Sequence, residues 1–263
     1  MTFLPDETAV RAWLDEHRFE HVIFVSPHLD DAVFSVAGFL SGAPERSEVI
    51  TLFTEALPGQ SSNWARAAGF GDSAAEHAAR RQEDILAMRS IGCRFQHLGL
   101  RPGDLSEARA TRLVQTLERA RPAGLDNTLV LLPAGAGNPS PRSAMLVGLA
   151  LRILRRPGSA FLPHGEHVQT RDRLWHALAG STARIGFYAE LPYAWSQTNH
   201  QLQQHLLSDL GCRTDLIELK PDTVEKNRLA DLYRSQLALV LGRRSAYRRR
   251  VLSRNECLCI VPM

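Results

Sequence analysis

The first apolar run in the chain, residues 21–25 (His-Val-Ile-Phe-Val), is continuous and stops at Ser26-Pro27. A short unbroken run of this kind fits a strand buried on both faces. Ahead of it, residues 6–18 place Val10, Trp13 and Leu14 on one side of a short amphipathic helix. After it, residues 30–40 carry apolar and small residues at helical spacing. Further strands are predicted at 49–53, 95–98, 128–132, 184–188 and 257–261. Further helices are predicted at 74–91 (closed by Gly92), 106–120, 143–154, 168–178 and 222–240, the last opened by an Asp222/Glu225 pair resembling a capping box. Residues 55–73, rich in Gly, Ser and Ala, read as a long loop, and 134–142 as a second one. No internal repeat or low-complexity tract interrupts the pattern.

Strands alternating with helices imply an α/β fold: a Rossmann-like three-layer sandwich with a mainly parallel sheet, plus a C-terminal α/β extension, in one domain over 1–263. Composition agrees, since 44% hydrophobic residues suffice for a full core. A net charge of +3 is too mild to argue for nucleic acid as a partner. No run of about 18 apolar residues is present, so no membrane span is expected. Residues 1–12 do not read as a signal peptide, and the four cysteines give no disulfide framework. The expectation is a cytoplasmic protein with reduced thiols.

Candidate chemistry sits where the first buried strand hands over to a helix, at Pro27-His28-Leu29-Asp30-Asp31. In an open α/β sheet that edge is where ligands bind. His28 and Asp31, three apart at a helix start, can converge on one point, with an imidazole nitrogen and a carboxylate oxygen for a divalent cation. Asp30 projects differently and is free to act on water beside the metal. The plainer alternative is that Asp30 and Asp31 only cap the helix and that His28 is an ordinary buried histidine. A second cluster, Pro163-His164-Gly165-Glu166-His167, precedes a helical run. One of its histidines can ligate, the other can stabilise charge on a substrate, and Glu166 can orient an imidazole. A polar loop with a helix cap is its plainer alternative.

Together the two clusters resemble the motifs of the PIG-L/LmbE-like zinc-dependent de-N-acetylases. The first motif of that family, Pro-His-x-Asp-Asp, stands at Pro27 to Asp31, and the second, His-x-Asp-His, is similar to His164-Gly165-Glu166-His167. Arg80-Arg81-Gln82-Glu83, Tyr188-Ala189-Glu190-Leu191-Pro192-Tyr193-Ala194 and Tyr233-Arg234-Ser235-Gln236 look like further segments of it, so the resemblance spans about 22–236. It implies a deacetylase-like domain holding one Zn2+ ion on His28, Asp31 and His167. Asp30 would be the general base, His164 would steady the tetrahedral intermediate by charge or hydrogen bond, and Arg80 would bind substrate. The implied substrate is a small-molecule N-acyl amino sugar or glycoside, with neither nucleic acid nor membrane as partner and a homo-oligomer left open. Two departures stand out. Glu166 replaces the family's Asp, and Asn138 to Arg142 occupies the place where the second motif is expected after the Gly-rich turn. Either 138–162 is an insertion, which is the reading adopted, or the motif is lost and the chain is a degenerate, non-catalytic member binding a sugar-like ligand. An amidase acting on a thiol conjugate would use the same residues.

Other features read as structural. Arg243, Arg244, Arg248, Arg249 and Arg250 form a solvated basic run, and Cys257 and Cys259 pack on one strand face. Gly135-x-Gly137 is too short for a nucleotide loop, and Trp64, Trp175 and Trp195 line either a pocket or the core.

Overall fold

The computed structural model describes residues 1–56, 59–137 and 163–262. Its strands are β1 (Thr2–Leu4), β2 (His21–Ser26), β3 (Ser47–Phe53), β4 (Arg94–Leu100), β5 (Thr128–Pro133), β6 (Arg184–Tyr188), β7 (Asp215–Leu219) and β8 (Glu256–Ile260). The helices are α1 (Thr8–Glu16), α2 (Asp31–Gly42), α3 (Asn63–Ala67), α4 (Ser73–Ile91), α5 (Glu107–Arg119), α6 (Gly165–Ala177), α7 (Asn199–Leu210), α8 (Thr223–Ala230), α9 (Leu237–Val240) and α10 (Ser245–Leu252). The strands form one sheet in the order β1-β7-β8-β6-β5-β2-β3-β4, parallel except for β8, which runs antiparallel to β6 and β7. This is the expected α/β architecture.

The central strands are buried along nearly their whole length, because helices cover both faces. Helices α1, α2, α4 and α8 touch one another on one side, and α5 packs on α6 on the other. One connected apolar core runs from Leu4 to Ile260. The chain leaves β2 toward β3 and β4, then crosses back to β5 on the other side of β2. The crevice at the carboxyl ends of β2 and β5 is therefore the topological switch point, where open α/β sheets bind ligands.

Helix α2 is buried almost all round and breaks at Val36 (φ −137°, ψ 27°). The break frees backbone groups in the interior, and a buried ion pair takes them up. Gly38 and Phe39 donate their N–H groups to the Glu256 carboxylate at 2.9 and 3.0 Å. Lys226 donates to the Ser35 carbonyl at 3.4 Å and pairs with Glu256 at 2.7 Å. The first half of α2, which carries Asp31, is thus fixed from α8 and β8.

Three local readings are corrected. The helix expected over 222–240 is two pieces, α8 and α9, because residues 231–236 turn to reach partners on α4: Tyr233 donates to Asp84 at 2.6 Å, and Ser235 donates to Glu83 through both its N–H and its hydroxyl. The loop over 55–73 contains the short helix α3, whose N-terminus Ser62 caps. Strands β1 and β7 and helix α7 were not anticipated. β1 and β7 are five residues or fewer, with β1 at the sheet's edge and β7 next to it, so their patterns are faint. The helix predicted at 143–154 and the insertion at 138–162 lie outside the described residues.

Candidate active site

The turn between β2 and α2 is pinned before any side chain is considered. Ser26 Oγ donates to the His28 carbonyl at 2.7 Å, Phe53 N–H donates to the Pro27 carbonyl at 2.9 Å, and Leu29 is fully buried. The His28 N–H donates to Asp31 Oδ2 at 2.9 Å, so the carboxylate of α2's first residue folds back over the turn. His28, Asp30 and Asp31 are held at the floor of a cleft of about 660 Å3.

On the other side, His164 caps α6 and His167 lies in its first turn, so the sequence-predicted helix begins three residues earlier than expected. The structure brings this second cluster against the first. His28 Nδ1 lies 3.1 Å from Asp31 Oδ2 and 3.2 Å from His167 Nε2, and His167 Nε2 lies 3.1 Å from Asp31 Oδ2. Three donor atoms form a nearly equilateral triangle. Tetrahedral bonds of about 2.0–2.1 Å set donor atoms about 3.3 Å apart, so the triangle has the dimensions of one face of such a site.

The outer nitrogens of both imidazoles face carboxylates. His28 Nε2 lies 2.8 Å from Glu166 Oε2, and His167 Nδ1 lies 3.1 Å from Glu190 Oε1. With the ring protons donated outward, two nitrogen lone pairs and a carboxylate oxygen converge on one point, an arrangement that demands a positive charge. The titration directions say the same. Burial opposes charge on His167, yet Asp31 and Glu190 outweigh it and push its pKa up to about 10. Burial pushes Asp31 up, but His167 and His28 hold it well below the ordinary carboxylate range. The donor set, two imidazoles and a carboxylate, fits a divalent cation.

His164 brings a third imidazole within 4.8 Å of the other two. Asp31, at 3.1 Å from both other donor atoms, closes the triangle more tightly, so the ligand set with the better geometry is His28, Asp31 and His167. Burial first, then the neighbouring His28 and His167, lower His164 to about 4, leaving it neutral near pH 7. Among the described residues its Nδ1 has no hydrogen-bond partner.

Asp30 is buried beside the triangle. Burial pushes its carboxyl up to about 6, with Asp31 adding to the rise and Arg80 opposing it. Arg80 Nη2 lies 3.5 Å from Asp30 Oδ1, and Arg80 Nη1 lies 3.3 Å from Glu76 Oε1. Arg80 also lines the cleft.

Sequence reasoning missed the work of Glu190, which is fully buried. Besides holding His167, its carboxylate accepts N–H donations from Ala134, Gly135 and Ala136 at 3.0, 2.8 and 3.1 Å. The Gly-rich turn after β5 is therefore a backbone nest for an internal carboxylate. Gly135 sits at φ +68°, and a Cβ there would press on Val168 and Arg171 at 3.1 Å. An acid inside the otherwise apolar run 186–192 was the available signal. Tyr193, whose ring lies 5.0 Å from that of His167, was also unassigned. Of the tryptophans, Trp64 lines the cleft, whereas Trp175 packs on Phe187 and Trp195 on Tyr247 under the Arg250 guanidinium.

No protein-family model matches the sequence, and no curated protein matches it. Solved structures do match. The zinc-inhibited form of teicoplanin deacetylase Orf2 aligns over 92% of this chain and 98% of its own, at 19% identity and a TM-score of 0.63. The A40926 pseudoaglycone deacetylase Dbv21 aligns over 93% and 98%, at 21% identity and 0.63. The chain has the fold of these deacetylases. N,N'-diacetylchitobiose deacetylase from Pyrococcus horikoshii shares it over 97% of this chain and 91% of its own, at 17% identity and 0.54. At such identities the likeness is one of fold, and it agrees with the fold expected from the motifs.

Proposed function

We propose that the chain is a zinc-dependent amide hydrolase that removes an N-acetyl group from an amino sugar or glycoside. The observation that carries this reading is the triangle of His28, Asp31 and His167, with the buried carboxylate of Asp30 beside it at the floor of a large cleft. The fold shared with the teicoplanin, A40926 and diacetylchitobiose deacetylases supports the choice of an amino-sugar amide.

In this reading His28, Asp31 and His167 hold one zinc ion. When bound, zinc supplies a Lewis acid that polarises the amide carbonyl and makes water more acidic. Asp30 is the general base. Its burial makes it a stronger base than an exposed carboxylate, while at about 6 it is still ionised at neutral pH. It takes the proton of the attacking water and returns it to the departing amine. Arg80, which lines the cleft and lies 3.5 Å from Asp30, binds the substrate. His164, being neutral, steadies the tetrahedral oxyanion as a hydrogen-bond donor rather than as a charge. Glu166 and Glu190 fix the two imidazoles with their lone pairs inward.

We infer further that the chain acts as one PIG-L/LmbE-like domain in the cytoplasm, with 138–162 inserted between β5 and α6. Among the described residues no helix is long and apolar enough to cross a membrane. The test is acetate release from N-acetylglucosaminides by the purified protein, before and after chelation and zinc restoration. Zinc-dependent acetate release is expected; tight zinc binding without hydrolysis of any N-acyl sugar would favour the thiol-conjugate alternative.

A further inference from the structure

The cleft is larger than the chemistry at its floor requires. About 660 Å3 lies mid-range for sites that enclose drug-sized ligands, roughly 300–1,000 Å3. A single acetamido sugar over His28, Asp30 and Arg80 leaves the outer part of the cleft empty. On that outer wall stands Trp64, in α3, with 37% of its surface exposed.

Single exposed aromatics are ordinary on protein surfaces. Trp64 differs in being fixed. Its indole N–H donates to Gln236 Oε1 at 2.6 Å, and Gln236 is itself fully buried and held through its amide N–H by Ser235 Oγ at 3.0 Å. The polar edge of the ring is thus tied to the interior while part of the ring stays open at the cleft. Gln60, Arg101 and Asp104 line the same cleft and offer hydrogen-bonding groups within it.

We propose that Trp64 is a stacking platform for a second ring of the substrate, attached to the acetamido sugar whose amide is cleaved. A pyranose and an aromatic aglycone both present a flat apolar face to an indole, and a pre-oriented ring binds such a face with little entropic loss. The proposal rests on the amino-sugar reading for the ring at the cleft floor and adds what occupies the outer half.

The experiment is calorimetric binding of three probes in the Asp30→Asn background, where turnover is slowed about 10²–10⁴-fold. The probes are N-acetylglucosamine, N,N'-diacetylchitobiose and 4-nitrophenyl N-acetylglucosaminide. Adding Trp64→Ala is expected to weaken at least one two-ring probe about ten-fold more than it weakens N-acetylglucosamine. Trp64→Phe should restore most of that difference. A differential loss for diacetylchitobiose alone identifies the second ring as a sugar, and one for the nitrophenyl glycoside alone as an aromatic group. In parental protein with Trp64 intact, diacetylchitobiose should also shift tryptophan emission more than the monosaccharide does, a readout that needs no folded variant. Equal losses for all three probes, or none, would overturn the platform while leaving the amino-sugar reading intact. Failure of all three to bind the parental protein would overturn both.

Discussion

Replacing Glu190 by Gln should unlock the metal centre without touching a ligand. The Glu190 carboxylate takes four donors in a fully buried place: three backbone N–H groups and the His167 ring. An amide keeps the shape but offers one oxygen, and its NH2 must face a donor. If the NH2 faces His167, the ring proton moves to Nε2 and points at the triangle, where it opposes a cation. Changing a carboxylate that orients a ligating histidine costs about 10–100-fold in metal affinity, or roughly 1.4–2.7 kcal/mol. Leaving one or two buried donors unpaired costs about 1–3 kcal/mol each in folding stability. Zinc affinity by competition with a chromophoric chelator, alongside thermal melts of the metal-free protein, reads both effects. The expected result is weaker zinc binding together with a lower melting temperature. A variant that melts lower but binds zinc as tightly as wild type would refute the claim that Glu190 sets the His167 tautomer.

Other predictions concern the base and the scaffold. Asp30→Asn should retain zinc and lose about 10²–10⁴-fold in turnover; wild-type activity in this variant would remove Asp30 from the base role. Wild-type kcat/KM should fall as the pH drops through about 6, where Asp30 takes up its proton. Because burial raises Asp30 from 3.8 to about 6, its contribution to stability is full below pH 3.8 and is lost as the pH rises through about 6. Metal-free Asp30→Asn should therefore gain on wild type between pH 4 and 7, by at most about 3 kcal/mol (about two pH units at 1.36 kcal/mol each); melts showing a gap that does not grow with pH would contradict this. Lys226→Met leaves Glu256 as an unpaired charge behind the break in α2 and should cost about 3–5 kcal/mol by denaturant unfolding. A cost under 1 kcal/mol would mean that the pair does not support the break.

The sheet was legible because its central strands are short unbroken apolar runs bounded by turn residues, as at 21–25 and 128–132. The half-site at His28, Asp30 and Asp31 was legible because it depends on local spacing at one strand end. The meeting of His164 and His167 with it was legible only through the resemblance of the two motifs, since it depends on α6 packing beside β5, a contact with no local pattern. Glu190 and Gln236 were invisible as site-builders for the same reason: their partners lie 54–56 and 172 positions away. The break in α2 escaped notice because Val36 is an ordinary helix residue, and only Lys226 and Glu256, from distant elements, make the break tolerable.

The central claim is a metal centre of two histidines and an aspartate serving amide hydrolysis, and anomalous scattering at the zinc absorption edge from crystals grown with zinc tests it most directly. One strong peak in contact with His28, Asp31 and His167 is expected, and its loss in His167→Ala. A peak held by His28, His164 and His167 without Asp31, or no peak in the cleft at all, would contradict it.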